Sequence, residues 1–199
     1  MKKTFTEASK IVILVGIITF LSGSLQAQVR GGIKAGANFL YSAWEIPGIS
    51  QRYSGISYHL GIFGNLPLRP EAIWLQTEFQ FNSFAIDYSG ELYTANYFSL
   101  PVVCAFSFLN NKLDLHAGPQ ISLLLSAKPE TLETAIDNWE LAFVVGSGVT
   151  IKRFNLTARY ILGITNLASD EVREIFPEAT IKNSNFQVSL AYQFLGETR

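Results

Sequence analysis

The most regular feature of the chain is an alternation of apolar and polar residues that begins near Gly31. A period of two is typical of a β-strand whose two faces meet different surroundings. The last segment shows the pattern best, because large apolar side chains occupy every second position there. These positions are Phe186, Val188, Leu190, Tyr192 and Phe194, and the residues between them are Gln187, Ser189, Ala191 and Gln193.

Eight such segments follow one another along the chain. Five carry polar side chains on the second face, whereas in the first, fourth and sixth segments that face consists largely of small residues. Small residues suit the crowded interior of a narrow barrel. The eight segments span residues 33–39, 56–63, 73–82, 98–106, 113–123, 141–150, 156–163 and 186–194.

The connections between these segments alternate between long and short. The long ones are 40–55, 84–96, 125–138 and 164–185, and the short ones are 67–72, 110–111 and 152–153. Bacterial outer-membrane barrels have short periplasmic turns and longer outer loops. The sequence therefore predicts an all-β fold, namely a closed antiparallel eight-stranded transmembrane β-barrel. Its strands would form an up-and-down meander with long outer loops and short periplasmic turns.

The alternative is a secreted soluble barrel of the lipocalin type, which has an apolar interior and a polar exterior. The apolar faces of the eight segments contain no Asp, Glu, Lys or Arg, and the opposite faces carry few. A soluble surface is usually about one quarter charged. By contrast, a Lys or Arg at the bilayer midplane costs roughly 2–4 kcal/mol. The charge distribution therefore favours a barrel whose apolar side faces lipid.

The N-terminal segment has the layout of a secretory signal peptide. Lys2, Lys3 and Lys10 precede an apolar stretch over residues 11–20, and cleavage is plausible after Ala27. The apolar stretch is shorter than the roughly 20 residues that a membrane anchor needs. We therefore expect a cleaved signal peptide over residues 1–27, a barrel domain over residues 28–199, and a location in the bacterial outer membrane.

Composition excludes several other classes of function. The formal net charge of −1 gives no basic face for nucleic acid. The single cysteine, Cys104, rules out an intramolecular disulfide and the usual multi-cysteine zinc sites. We expect no cofactor and no bound metal.

The candidate site lies in the barrel interior, where the polar faces of the strands converge. Eight strands leave an interior just wide enough for side chains to fill. We therefore expect a structural polar network rather than a wide pore or catalytic residues, with a narrow conduction path as the alternative. Two histidines without a third ligand make a weak metal site. The network residues are Lys34, His59, Glu78, Asp114, His116 and Arg159.

Two further groups of residues lie near the predicted strand ends. The apolar loop residues Trp44, Ile46 and Ile49 are candidates for contact with a partner. Five aromatic residues suit a girdle at the lipid–water boundary. They are Tyr41, Trp44, Tyr53, Tyr97 and Trp139.

Short segments spread over the whole mature chain resemble, in order, the PorT-like outer-membrane β-barrel family. They are 32–39, 60–63, 75–78, 97–101, 116–120, 158–160, 163–166 and 188–194. The resemblance implies an eight-stranded outer-membrane barrel, and some members of that family are linked to type IX protein secretion. Most members of that family end on the aromatic residue that the barrel-assembly machinery reads. The chain departs from this pattern, since five residues follow Phe194.

These observations predict a small non-enzymatic barrel that is an accessory of protein secretion or a structural, partner-binding protein. Its expected partners are outer-membrane lipid, the barrel-assembly machinery and components of a secretion system. A narrow porin-like channel is the alternative, and a barrel-embedded enzyme acting on lipid is a third hypothesis.

Overall fold

A computed structural model describes residues 29–47, 49–69, 72–88, 91–129 and 134–196. The signal peptide expected over residues 1–27 lies outside the described residues. The elements are β1 (Arg30–Ile46), β2 (Ile49–Arg69), β3 (Ile73–Tyr88), β4 (Glu91–Phe108), β5 (Leu113–Lys128), β6 (Trp139–Ile151), β7 (Phe154–Gly163), helix α1 (Asp170–Ile175) and β8 (Thr180–Leu195).

The eight strands form a closed antiparallel barrel in which each strand pairs with the next along the chain. Closure is made by β1 and β8, whose pairing runs from Gly31 opposite Leu195 to Glu45 opposite Thr180. A closed barrel satisfies its backbone hydrogen bonds within the sheet, as lipid requires. The predicted fold and meander order are therefore confirmed.

No helix within the described residues has the length and apolar character needed to cross a membrane.

The two faces of the barrel are divided as the alternation predicts. Outward side chains are large, apolar and uncovered, as in Leu60 at 59 % exposure. Inward side chains are polar and enclosed, as in Lys34 at 2 % and Glu78 at 1 % exposure. An apolar exterior of this extent is unfavourable in water but suits contact with lipid. The arrangement is the reverse of a soluble carrier barrel.

The strands extend further at the outer end than the alternation predicts. β1 to β4 contain 16 to 21 residues, whereas about 9–11 residues cross a bilayer when tilted. The connections expected to be long over 40–55 and 84–96 are therefore mostly strand, because β1 runs to Ile46 and β3 runs to Tyr88. Only the outer connections after β5 and β7 remain long.

The connection between β7 and β8 folds back over the outer mouth of the barrel. Its helix α1 is capped by Ser169, whose side chain accepts a hydrogen bond from the backbone N–H of Val172. Asp170 and Glu171 lie in the first turn, where negative charge favours the helix dipole. A small apolar core joins this connection to the strands, and its members are Ala127, Ile136, Leu167, Ala168, Ala179 and Ile181.

Pairing between β2 and β3 stops before the outer ends of both strands. Among the described residues, the last pair is Tyr58 opposite Ser83. Beyond it, β1 and β2 continue as a first arm (residues 39–47 and 49–56), and β3 and β4 continue as a second arm (residues 84–88 and 91–95). We call the gap between the two arms the β2–β3 split. It is defined by residues 49–57 of β2 and 84–88 of β3.

Candidate functional site

Five of the six predicted interior residues meet in one network centred on Glu78. The Lys34 Nζ lies 2.7 Å from the Glu78 Oε1, and the Arg159 Nη2 lies 2.6 Å from the same oxygen. These three side chains are almost completely buried. They come from β1, β3 and β7, so the network bridges strands that are not neighbours in the sheet.

His116 extends this network to Asp114. The Arg159 Nε donates a hydrogen bond to the His116 Nε2 over 2.8 Å. Since a guanidinium only donates, the Nε2 must be the unprotonated acceptor. The Nδ1 of His116 then carries the proton and donates to the Asp114 Oδ1 at 2.7 Å. This arrangement makes His116 a neutral link between the arginine and the second carboxylate.

Side-chain amides complete the hydrogen bonding around the charges. Gln76 and Gln80 each donate from Nε2 to the Glu78 carboxylate, Gln80 to Oε2 and Gln76 to Oε1. Further along the interior, Gln187 donates to the Asn38 Oδ1 at 3.0 Å, and Asn82 donates to the Ser99 Oγ at 3.0 Å. A buried charge is tolerated when it is paired and its remaining lone pairs are satisfied. The two cations and two carboxylates of this layer meet that condition.

His59, the sixth predicted residue, lies outside the ion-paired network. Its Nε2 is 2.9 Å from the Ser189 Oγ, and its buried Nδ1 has no hydrogen-bond partner among the described residues. A Cβ on Gly36 would lie 2.6 Å from the His59 ring, so glycine makes room for it. Within the described part of the chain, no group of three His, Cys, Asp or Glu side chains could hold a metal ion.

The charged layer separates cavities at the two ends of the barrel. Towards the periplasmic end lies a cavity of about 60 Å³, bordered by Arg30, Trp74, Gln76 and Asp114. There the Arg30 guanidinium sits 4.3 Å from the centre of the Trp74 ring, which is a cation–π distance. Towards the outer end lies a larger cavity of about 200 Å³. The layer around Glu78 therefore closes the lumen between them.

The outer cavity is lined mainly by aromatic and aliphatic side chains, which overturns part of the girdle prediction. Trp44, Tyr53 and Tyr97 line this cavity instead of facing the membrane. Only Tyr41 and Trp139 are outward and exposed, at 58 % and 51 %. The sequence carries the signal for this arrangement, because continuing the alternation of β1 beyond residue 39 places Trp44 on the interior face.

The partner-loop candidates lie at the tip of the first arm. Trp44 is half-buried, and its Nε1 donates to the Ser42 Oγ at 2.9 Å. Its ring meets Tyr53 edge-on, with 5.7 Å between the ring centres. Ile46 ends β1 and Ile49 begins β2. The side chains of those two residues lie outside the described part of the structure.

Glu140 is an interior acid that the sequence reasoning missed. It lines a cavity of about 20 Å³ directly below the outer cavity, together with Asn185, Gln120 and Ser122. The outer and lower cavities share Leu40, Phe84, Tyr97 and Asn183. Extending the interior face of β6 by one step, from Ala142 to residue 140, would have identified this residue.

Comparison with known proteins agrees with this architecture. The family model described as "Outer membrane protein beta-barrel domain" matches residues 19–169. No curated protein matches the sequence at a significant level.

The chain is also similar to several solved structures. Ail, the attachment invasion locus protein of Yersinia pestis, is 14 % identical with a TM-score of 0.50, and the match covers 84 % of this chain and 99 % of Ail. Ail bound to the heparin analogue sucrose octasulfate gives 15 % identity and a TM-score of 0.48 over the same shares of the two chains. Neisserial surface protein A gives 9 % and 0.44, covering 81 % of this chain and 97 % of that protein.

At such low identity, the match to Ail shows the fold alone. The family model, however, covers most of the sequence. The chain therefore belongs to the outer membrane protein beta-barrel domain family and is a protein of the outer membrane.

Proposed function

We propose that this protein is a non-conducting, non-enzymatic barrel that acts through contacts at its outer end, as an accessory of protein secretion. The observation that carries the proposal is the closed lumen. Lys34, Glu78 and Arg159 join three strands across the interior and are almost completely buried. A barrel whose interior is filled in this way must act through its ends.

Energetics support a lumen that stays closed. A solute crossing the barrel would have to separate Glu78 from its two cations. Breaking a buried ion pair costs about 3–5 kcal/mol, because it leaves an unpaired charge out of water. The flanking cavities near this layer, of about 60 and 20 Å³, hold no more than a few water molecules. These features argue against a narrow channel.

The outer arms supply a surface on which a partner could act. β2 contains 21 residues, about twice the number that a tilted membrane strand needs. The additional residues of β2 belong to the first arm and lie beyond the last pair between β2 and β3. Trp44, Ile46 and Ile49 lie at its tip, and the resemblance to the PorT-like family suggests protein secretion as the process in which it takes part.

The test is complementation of a deletion strain of the native host. A first variant replaces residues 44–51 by Asn-Gly, so that Ala43 opposite Arg52 closes the shortened arm. A matched control replaces residues 86–93 in the same way, with Ala85 opposite Thr94 as the closing pair. Each change replaces eight residues by two, shortens its arm by six residues and leaves the ion-paired layer intact.

Deletion is expected to reduce the amount of secreted cargo in the medium and on the cell surface. The second-arm variant should restore secretion, and the first-arm variant should not. Planar-bilayer recordings of the wild-type protein should show no stepwise conductance. Normal secretion in the deletion strain would refute the secretory role, and reproducible conductance steps would refute the closed lumen.

A further inference from the structure

The outer cavity has the size and lining of a site for a small apolar group. Its volume is about 200 Å³, and its walls include Leu40, Trp44, Phe84 and Ile181. An engineered apolar cavity of about 150 Å³ takes up benzene. The outer cavity can therefore hold an aromatic ring or a short length of alkyl chain.

The floor of this cavity offers hydrogen-bond acceptors that lack donors. The Glu140 carboxylate lines the floor, and no side chain of a described residue forms a hydrogen bond or ion pair with it. Asn185 is 6 % exposed, and its buried Oδ1 has no partner among the described residues. A buried acceptor without a donor is costly. A ligand that places a donor here, above all a cationic one, would remove that cost.

The β2–β3 split places a surface groove next to this cavity. On the outer surface of the split lies a groove bordered by Phe39, Tyr41, Ile56 and Ala85. Leu40 borders this groove, the outer cavity and the floor. Tyrosine is enriched at the headgroup level of membranes, so Tyr41 indicates that the groove lies at the level of the outer leaflet.

We propose that the outer half of the barrel binds a cationic amphiphile from the outer leaflet. Its apolar part passes through the β2–β3 split into the outer cavity, and its ammonium group pairs with Glu140. This role differs from the secretory role proposed above, because it uses the cavity beneath the arms; of the three residues at the tip of the first arm, Trp44 also lines that cavity.

The test uses the full mature chain folded into phosphatidylcholine vesicles, with dodecylammonium, dodecanoate and butylammonium as probes. Trp44 lines the cavity and reports occupancy. Trp74→Phe and Trp139→Phe remove the two other tryptophans, of which Trp139 is 51 % exposed on the outer face. A heat-modifiability gel establishes that each variant is folded.

Dodecylammonium should change the Trp44 fluorescence saturably, and dodecanoate should not compete with it. Glu140→Gln should weaken dodecylammonium binding about tenfold or more, because the hydrogen bond from the ammonium group then goes to a neutral amide oxygen instead of a carboxylate. Ala95→Phe, which fills the outer cavity, should abolish the signal. Equal binding of dodecanoate, or unchanged binding in the Ala95→Phe variant, would overturn the site.

A matched pair of variants tests the route. Ala85→Phe blocks the groove at the β2–β3 split. Ala158→Phe adds the same ring at another half-buried position, in the part of β7 that is paired on both sides. Uptake of dodecylammonium should slow at least about tenfold in the first variant only. Equal rates in both variants, or binding of butylammonium as tight as that of dodecylammonium, would overturn access from the membrane.

Discussion

Replacement of Glu78 by alanine removes the acid that pairs with both buried cations of the lumen. Lys34 and Arg159 are 2 % and 1 % exposed, so neither can turn to bulk water. Breaking a buried ion pair costs about 3–5 kcal/mol. The amides of Gln76 and Gln80 also lose their acceptor, at a cost of about 1–3 kcal/mol each. Water that enters the vacated space offsets part of this, so we expect a loss of about 4–6 kcal/mol in the free energy of unfolding.

The assay is urea unfolding of the protein in phospholipid vesicles, followed by tryptophan fluorescence. Glu178→Ala is the control, because Glu178 is exposed on the outer connection and should change stability by less than about 0.5 kcal/mol. The double variant Lys34→Met with Glu78→Ala removes one of the stranded cations. Its cost should fall short of the sum of the two single costs by about 2 kcal/mol, because the two residues interact directly.

Two results would contradict a stabilising role for the ion pairs of Glu78. If Glu78→Ala lowered the free energy of unfolding by less than about 1 kcal/mol, the ion pairs could not be what holds the lumen closed. If the double variant were strictly additive, Lys34 and Glu78 would not be coupled. Either result would also remove the main support for a non-conducting barrel.

Three other changes test the packing of the barrel, its orientation in lipid and its outer connection. A Cβ on Gly118 would lie 2.1 Å from the Val102 carbonyl oxygen, so Gly118→Ala should cost about 1–3 kcal/mol of unfolding free energy. Gly64→Ala, whose nearest neighbour would be 3.9 Å away, should cost almost nothing. Ile62→Arg on the lipid face should lower the free energy of unfolding in urea by roughly 2–4 kcal/mol. Leu68→Arg, at the periplasmic end of β2, should lower it by about 0–1 kcal/mol. Equal losses in the two variants would contradict the membrane orientation. Ser169→Ala removes the cap of α1 and should lower the protection of the α1 amides against hydrogen exchange by the equivalent of about 1 kcal/mol. Unchanged protection would mean that the cap does not stabilise the helix.

The part of the candidate site that the sequence predicts is the set of interior residues. Lys34, Glu78 and Arg159 each occupy a polar position in the two-residue alternation of their strand. That position alone places their side chains inside the barrel. Sequence reasoning did not find Glu140, because the alternation of β6 was read from residue 141 onward. One further step in the same pattern would have included it.

The partners of these residues could not be predicted in the same way. Glu78 meets Lys34 from the strand two places before it and Arg159 from a strand four places later. Whether such residues lie at the same level along the barrel axis depends on the stagger of every pair of strands between them. A local pattern of two residues carries no information about that stagger.

The alternating pattern along the chain was enough to predict the number of strands, their order and which face of each strand meets lipid. Those properties follow from alternation within single segments and from the absence of charge on one face. The folded barrel was needed to show how far the strands extend, where β2 separates from β3, and that the interior changes from an ion-paired layer to an aromatic cavity. These features arise from the registers of eight paired strands and from the connection that folds over the mouth, and contacts between distant segments set them.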